Sequence, residues 1–122
     1  MSQSKQLSPN EWDKIRLTHR EVLAIQSVME QHLSELGEAS LWLFGSRSDP
    51  KKRGGDIDLF LEISKRTNNL DQLRRQIRLA LFDEIGEQKI DLLLKQPGSA
   101  ENALFDIARE EGVLIWQQKN SV

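Results

Sequence analysis

Three aspartates carry the chemistry this sequence is equipped for. Asp56 and Asp58 stand two apart in Asp56-Ile57-Asp58-Leu59-Phe60-Leu61-Glu62-Ile63, a run of strict alternation. Successive side chains of an extended strand point to opposite faces. Ile57, Leu59, Leu61 and Ile63 therefore share one face, and Asp56, Asp58, Phe60 and Glu62 the other. The two carboxylates are then about 7 Å apart at Cα, and like charges that close repel unless a cation lies between them. Hard divalent ions such as Mg²⁺ take oxygen ligands, typically one or two carboxylates plus substrate phosphates. The third acid, Asp91, interrupts an apolar strand, Lys89-Ile90-Asp91-Leu92-Leu93-Leu94. An acid there calls for a partner or an ion. It either faces water from an edge strand or is carried by strand pairing to the side of Asp56 and Asp58. The second is our expectation.

A phosphate cradle is the other half of such a site, and Gly45-Ser46 has its composition. Glycine permits close backbone approach, and serine adds a hydroxyl and a backbone N–H in the same turn. Arg47, Lys51, Lys52 and Arg53 then fill the following loop with positive charge. A lone Asp-x-Asp is commonly a solvated strand face, and a lone Gly-Ser a plain turn. It is their order, between the two apolar runs of Leu41–Ile63, that points to a nucleoside triphosphate.

Gly45-Ser46, nine intervening residues, then Asp56-Ile57-Asp58-Leu59 resembles the signature of the polymerase-β-type nucleotidyltransferases. The likeness is greatest to their minimal stand-alone members, the MNT proteins that often accompany a HEPN-domain partner. It is strongest over Leu41–Ile63 and extends to Leu94. The spacer is at the short end of that family's range, and Gly55 stands where serine often precedes the first aspartate; both departures concern the loop, since the ligands remain. The resemblance implies an α/β nucleotidyltransferase fold in which Asp56 and Asp58 hold two Mg²⁺ ions and Asp91 is the third ligand. It implies further that Gly45 and Ser46 bind the phosphates of ATP, with Arg47, Lys52 and Arg53 offsetting their charge. The activity implied is transfer of AMP to a hydroxyl of a HEPN-type RNase toxin, which would make the chain an antitoxin in a hetero-oligomer.

Elements must position these residues. Ser8-Pro9-Asn10-Glu11 has the form of a capping box, and Trp12, Ile15, His19, Val22, Ile25, Met29, Leu33 and Leu36 follow at helical spacing to Gly37. One long amphipathic helix is expected. His19 and His32, on or near its apolar face, are expected to pack rather than bind metal. Leu41–Phe44 is a buried strand stopped by Gly45-Ser46. Leu70, Leu73, Ile77, Ala80, Leu81 and Ile85 mark a second helix ended by Gly86, with Arg74, Arg75 and Arg78 on its polar face, either a solvated face or a rim that helps hold a phosphate or a partner. Gln88–Leu94 is the third strand. Ser99 is the expected cap of a short helix running through Leu104, Ile107 and Ala108. Val113-Leu114-Ile115-Trp116 is an edge strand or a partner-facing segment, with Trp116 expected at the contact.

The 122 residues suit one domain, with 1–8 and 117–122 loose. A net charge of -2 argues against direct nucleic-acid binding, leaving the basic loop as a local feature. With no cysteine, neither disulfides nor thiolate metal sites arise. No apolar run approaches a membrane span and the first residues lack a signal-peptide core, so a cytoplasmic location is expected. The expected architecture is a three- or four-stranded mixed sheet with helices on one face and the carboxylate face open. Two rival functions fit the same residues. One is a transferase acting on a small molecule, such as an aminoglycoside, with a helical partner subunit. The other is a non-catalytic module that neutralises a partner by binding alone.

Overall fold

The computed structural model describes residues 5–119. Four strands form one mixed sheet in the order β3-β2-β1-β4: β1 is Ala39–Phe44, β2 Ile57–Ile63, β3 Ile90–Lys95 and β4 Val113–Gln118. β2 is central and antiparallel to β1, with Leu41 opposite Leu61 and Phe44 opposite Asp58. It is parallel to β3, with Asp58 opposite Asp91. A parallel pair needs a crossover, which helix α2 (Leu70–Ile85) supplies. β4 returns antiparallel to β1, with a bulge between Leu41 and Trp42.

The alternation of β2 divides the molecule into two cores. Leu41, Leu43, Ile57, Leu59, Leu61, Ile90, Leu92 and Leu94 pack beneath α1 (His19–Leu33) and α2, together with Val22, Ile25, Met29, Leu73, Ile77 and Leu81. The other face is not left to solvent, contrary to the expectation of helices on one face only. There Trp42 and Phe60 stack at 5.4 Å, and Phe60 stacks on Phe105 of α3 (Ala103–Glu111) at 5.2 Å. Ala108 and Leu114 complete this second cluster. Alternation puts Phe60 on the same face as Asp58, and so large a ring buries about 150–250 Å². A short helix therefore closes over the middle of the face, leaving the Asp58–Asp91 end open.

The expected long N-terminal helix is two pieces. Pro9–Lys14 is a 3₁₀ turn with the Ser8–Glu11 capping box, while α1 begins at Thr18 with a box of its own. The Thr18 hydroxyl accepts from Glu21 N at 3.0 Å, and Glu21 Oε1 from Thr18 N at 2.8 Å. Between them Ile15 and Leu17 are buried, and Arg16 N donates to Arg47 O instead of a helical carbonyl. The second box and a tertiary hydrogen bond outweigh the helical spacing. α3 is likewise capped by Asn102, not Ser99, whose hydroxyl accepts from Gln96 N.

Trp116 also departs from expectation. It is 3% exposed and belongs to the main core, because β4 has α1 against its inner face, where Gln26 Nε2 donates to Ile115 O. Gln117 and Gln118, expected loose, complete β4. Leu7 N and Gln6 Oε1 hydrogen-bond to Leu114 O and Gln117 N, binding residues 6–7 to that edge. Of the rest of the expected loose ends, Ser8 caps the first turn, and residues 1–4 and 120–122 lie outside the described residues.

Candidate functional site

The candidate residues lie at one end of the sheet, where β1 ends, β2 begins and β3 begins. β1 runs into a 3₁₀ turn, Gly45–Ser48. Gly45 has φ +72°, and a Cβ there would overlap Oδ2 of Asp58. The turn thus lies directly against the carboxylate of the strand it precedes, an approach open to glycine alone. Gly54, at φ +142°, passes Ser46 in the same way: a Cβ would stand 2.5 Å from Ser46 Oγ. Ser48 Oγ donates to Gly45 O at 2.7 Å and closes the turn.

Two arginines fix the loop from outside. Arg47 donates to Arg16 O at 2.9 Å and to Gly55 O at 3.0 Å, and Arg16 donates to Gly54 O at 3.0 Å. Arg47, expected to offset phosphate charge, has its guanidinium committed to backbone carbonyls on either side of the turn. Its fork of fixed donors suits that task. Lys52 and Arg53 are exposed and form no ion pair among the described residues. Lys52 lines a cleft of about 260 Å³ with Gly45, Ser48, Asp49, Pro50 and Glu111. Ser46 is half-buried beside it.

The carboxylates gather as the alternation requires. Asp58 and Asp91 are side by side across the parallel β2–β3 pair, where neighbouring strands lie about 4.8 Å apart. Asp91 is exposed and Asp58 half-buried. The Asp58 carboxyl is held above its ordinary range. Burial is the first cause, then the charge of Asp91 and a hydrogen bond shared with it, then the charge of Asp56, with Lys89 opposing. Asp56 directly precedes β2 and pairs with Lys89 Nζ at 3.5 Å.

Among the described residues no three His, Asp or Glu side chains stand preassembled around one point. The donor chemistry nevertheless fits a hard cation. Asp58 and Asp91 share a hydrogen bond, and burial together with the charges of Asp91 and Asp56 disfavours a lone carboxylate at Asp58, a charge that a cation would offset; Asp56 is turned to Lys89.

The open end of the face forms a cleft of about 380 Å³ lined by Phe44, Asp58, Arg78, Asp91, Leu93 and Leu104. Its apolar walls beside two acids can take a flat or aliphatic group and present it to the carboxylates. Sequence reasoning missed Lys89 and Leu104 as neighbours of the site and Arg16 as a brace of the loop, while Arg78 was open to a place on a rim but not tied to these acids. Lys89 was legible in principle, two residues before Asp91; Leu104 and Arg16 arrive from other elements and left no local signal.

The chain matches no protein-family model and no curated protein. Among the described residues the fold is a mixed α/β sheet with two α-helices on one face, one on the other, and a cleft bearing Asp58 and Asp91 at one end.

Proposed function

We propose that the chain is a nucleotidyltransferase that moves a nucleoside monophosphate, AMP from ATP, onto a hydroxyl of a partner protein in the cytoplasm. The observation that carries the reading is the juxtaposition of Asp58 and Asp91 across β2 and β3, with the Gly45 backbone pressed against Asp58. A glycine turn pressed against one of two hydrogen-bonded acids, on a loop that bears Lys52 and Arg53, is an arrangement that a metal-assisted phosphoryl site can use.

Asp56, Asp58 and Asp91 would hold Mg²⁺, which supplies charge neutralisation at the phosphates and lowers the pKa of the acceptor hydroxyl. The Gly45–Ser48 turn presents Ser46 Oγ and backbone N–H groups to the phosphates. Lys52 and Arg53, free of ion pairs among the described residues, lie on the same loop to offset their charge. In the transfer, the acceptor oxygen forms a bond to the α-phosphorus as the bond from that phosphorus to the bridging oxygen breaks. Pyrophosphate leaves, and the hydroxyl proton passes to the exposed Asp91 carboxylate. By its resemblance to the MNT proteins, the acceptor is a HEPN-type RNase toxin and the transfer silences it.

ATP labelled at the α-phosphate, Mg²⁺, the chain and the co-purified product of the adjacent gene test this. Label on the partner protein is expected, with none from γ-labelled ATP and none with Asp58→Asn. Label on a small molecule instead would make this a small-molecule transferase. No labelled product, with partner inhibition intact, would make it a binding module.

A further inference from the structure

A second groove adjoins the carboxylate cleft. It runs between α2 and the outer edge of β3, has a volume of about 450 Å³, and is lined by Arg74, Arg75, Arg78, Leu79, Phe82 and Ile90, among others. Arg78 belongs to both, lining this groove and the cleft of Asp58 and Asp91. The two are therefore neighbouring compartments, not separate features.

The lining has two characters. Leu79 is 60% exposed and Phe82 51%, side chains that a helix face normally turns inward. Around them are three guanidinium groups. Arg74 is engaged, pairing with Asp71 at 2.8 Å and donating to Leu92 O at 3.3 Å on the edge of β3. Arg75 and Arg78 are exposed and pair with no carboxylate among the described residues. The chain as a whole carries a net charge of -2, so this positive patch is local.

We infer that this groove docks an acidic, aromatic-containing segment of the acceptor protein and delivers its hydroxyl past Arg78 to the carboxylate cleft. The inference rests on the transfer proposed above and names its substrate class. Charge complementarity selects the occupant: carboxylates answer the guanidinium groups of Arg75 and Arg78, and apolar side chains cover Leu79 and Phe82. Aromatic rings near the centre of such a contact supply most of its strength, while the arginines orient the segment. Arg78 stands at the junction, so a segment bound in the groove reaches the acids without a further binding surface.

The probe is a fluorescein-labelled random copolymer of glutamate and tyrosine, with binding followed by anisotropy at 150 mM salt. The full chain is expected to bind it, and to bind a lysine–tyrosine copolymer of equal length at least tenfold more weakly. Arg75→Glu and, separately, Phe82→Ser should each weaken glutamate–tyrosine binding at least tenfold. Both should retain the thermal stabilisation by Mg²⁺ and ATP, since neither touches the carboxylates or the Gly45 turn. No binding to the parent chain, or unchanged binding in both variants, overturns the inference. Tighter binding of an oligouridylate than of the acidic copolymer, lost in the same variants, also overturns it by making the groove a nucleic-acid site. A parent that binds the copolymer but shows no stabilisation by Mg²⁺ and ATP removes the transfer reading while leaving the docking groove standing.

Discussion

Gly45 and Asp58 are packed so closely that no side chain fits between them: a Cβ on the glycine would overlap the aspartate's Oδ2. The glycine turn and the central carboxylate are thus one unit, built by a β1–β2 hairpin whose register sets Phe44 opposite Asp58. Gly45→Ala meets two obstacles, the collision and a φ of +72°, the latter alone costing about 1–2 kcal/mol. Its melting temperature is expected to fall by roughly 4–8 °C. The stabilisation conferred by Mg²⁺ with ATP should be lost, as calorimetry with and without both ligands will read. Retained ligand stabilisation would separate the turn from the binding site.

Asp58 has a raised pKa from burial and from Asp91 and Asp56. For a carboxyl whose folded pKa lies above its unfolded value, the favourable contribution is present below the unfolded value, about 3.9. It is lost as pH rises through the folded one. Asp58→Asn should therefore raise the melting temperature of the ligand-free chain at pH 7 by about 2 °C or more. The advantage should shrink as pH falls through the folded value and vanish below the unfolded one, about 3.9. Mg²⁺ and ATP should no longer stabilise the variant. A lower melting temperature at pH 7 would mean that the carboxylate has a stabilising partner the cleft does not reveal.

Asp91 is exposed beside Asp58, on the side of the cleft that Leu93 and Leu104 wall. As the proposed acceptor of the hydroxyl proton, it should act on turnover. Asp91→Asn should lower the rate of AMP transfer by about 10²–10⁴-fold, with a much smaller change in the affinity for ATP. Single-turnover labelling alongside nucleotide titration gives both quantities. Parental turnover would return Asp91 to the role of a solvated acid at a sheet edge.

Trp116 is enclosed between β4 and the helices of the main core. Trp116→Ala should cost about 3–5 kcal/mol, read as a lowered denaturation midpoint with little change in slope. A stability loss under about 1 kcal/mol would indicate that the core closes over the vacancy.

Arg47 spans the loop by donating to Arg16 O and Gly55 O. Arg47→Met keeps much of the stem and removes both bonds. Such bonds from a charged donor contribute about 1.5–3 kcal/mol each, so the expected loss is of that order, with faster proteolysis between Pro50 and Gly55. Unchanged cleavage would show that Arg16 alone restrains the loop.

Much of this architecture was written in short-range pattern. Alternation in Asp56–Ile63 is a local property with a period of two, so it determined which β2 residues share a face and that Asp58 lies with Phe60 and Glu62. Gly45 and Gly86 marked the ends of β1 and α2 through their own backbone freedom. Asp56, Asp58 and the glycine turn could be named for the same reason, since hairpin connectivity brings them together at short separation, whereas Asp91 joins them across the α2 crossover by strand pairing.

What the pattern left open depended on distant partners. Helical spacing ran unbroken from Trp12 to Leu36, yet Arg16 N bonds to Arg47 O and the helix restarts at Thr18; a tertiary hydrogen bond has no signature in the window it interrupts. Trp116 carried the composition of an interface and became core, because burial depends on what packs above a strand, here α1. Phe60 was legible on the acidic face, but only the arrival of Phe105 and Ala108 decided that α3 covers half of it. Arg78 joined the site by the same route: α2 crosses from β2 to β3, and the crossing sets its arginine beside acids that are remote in sequence. Side-chain periodicity is local and survives in the linear chain; enclosure, counter-charge and the shape of a cleft arise only when separate elements meet.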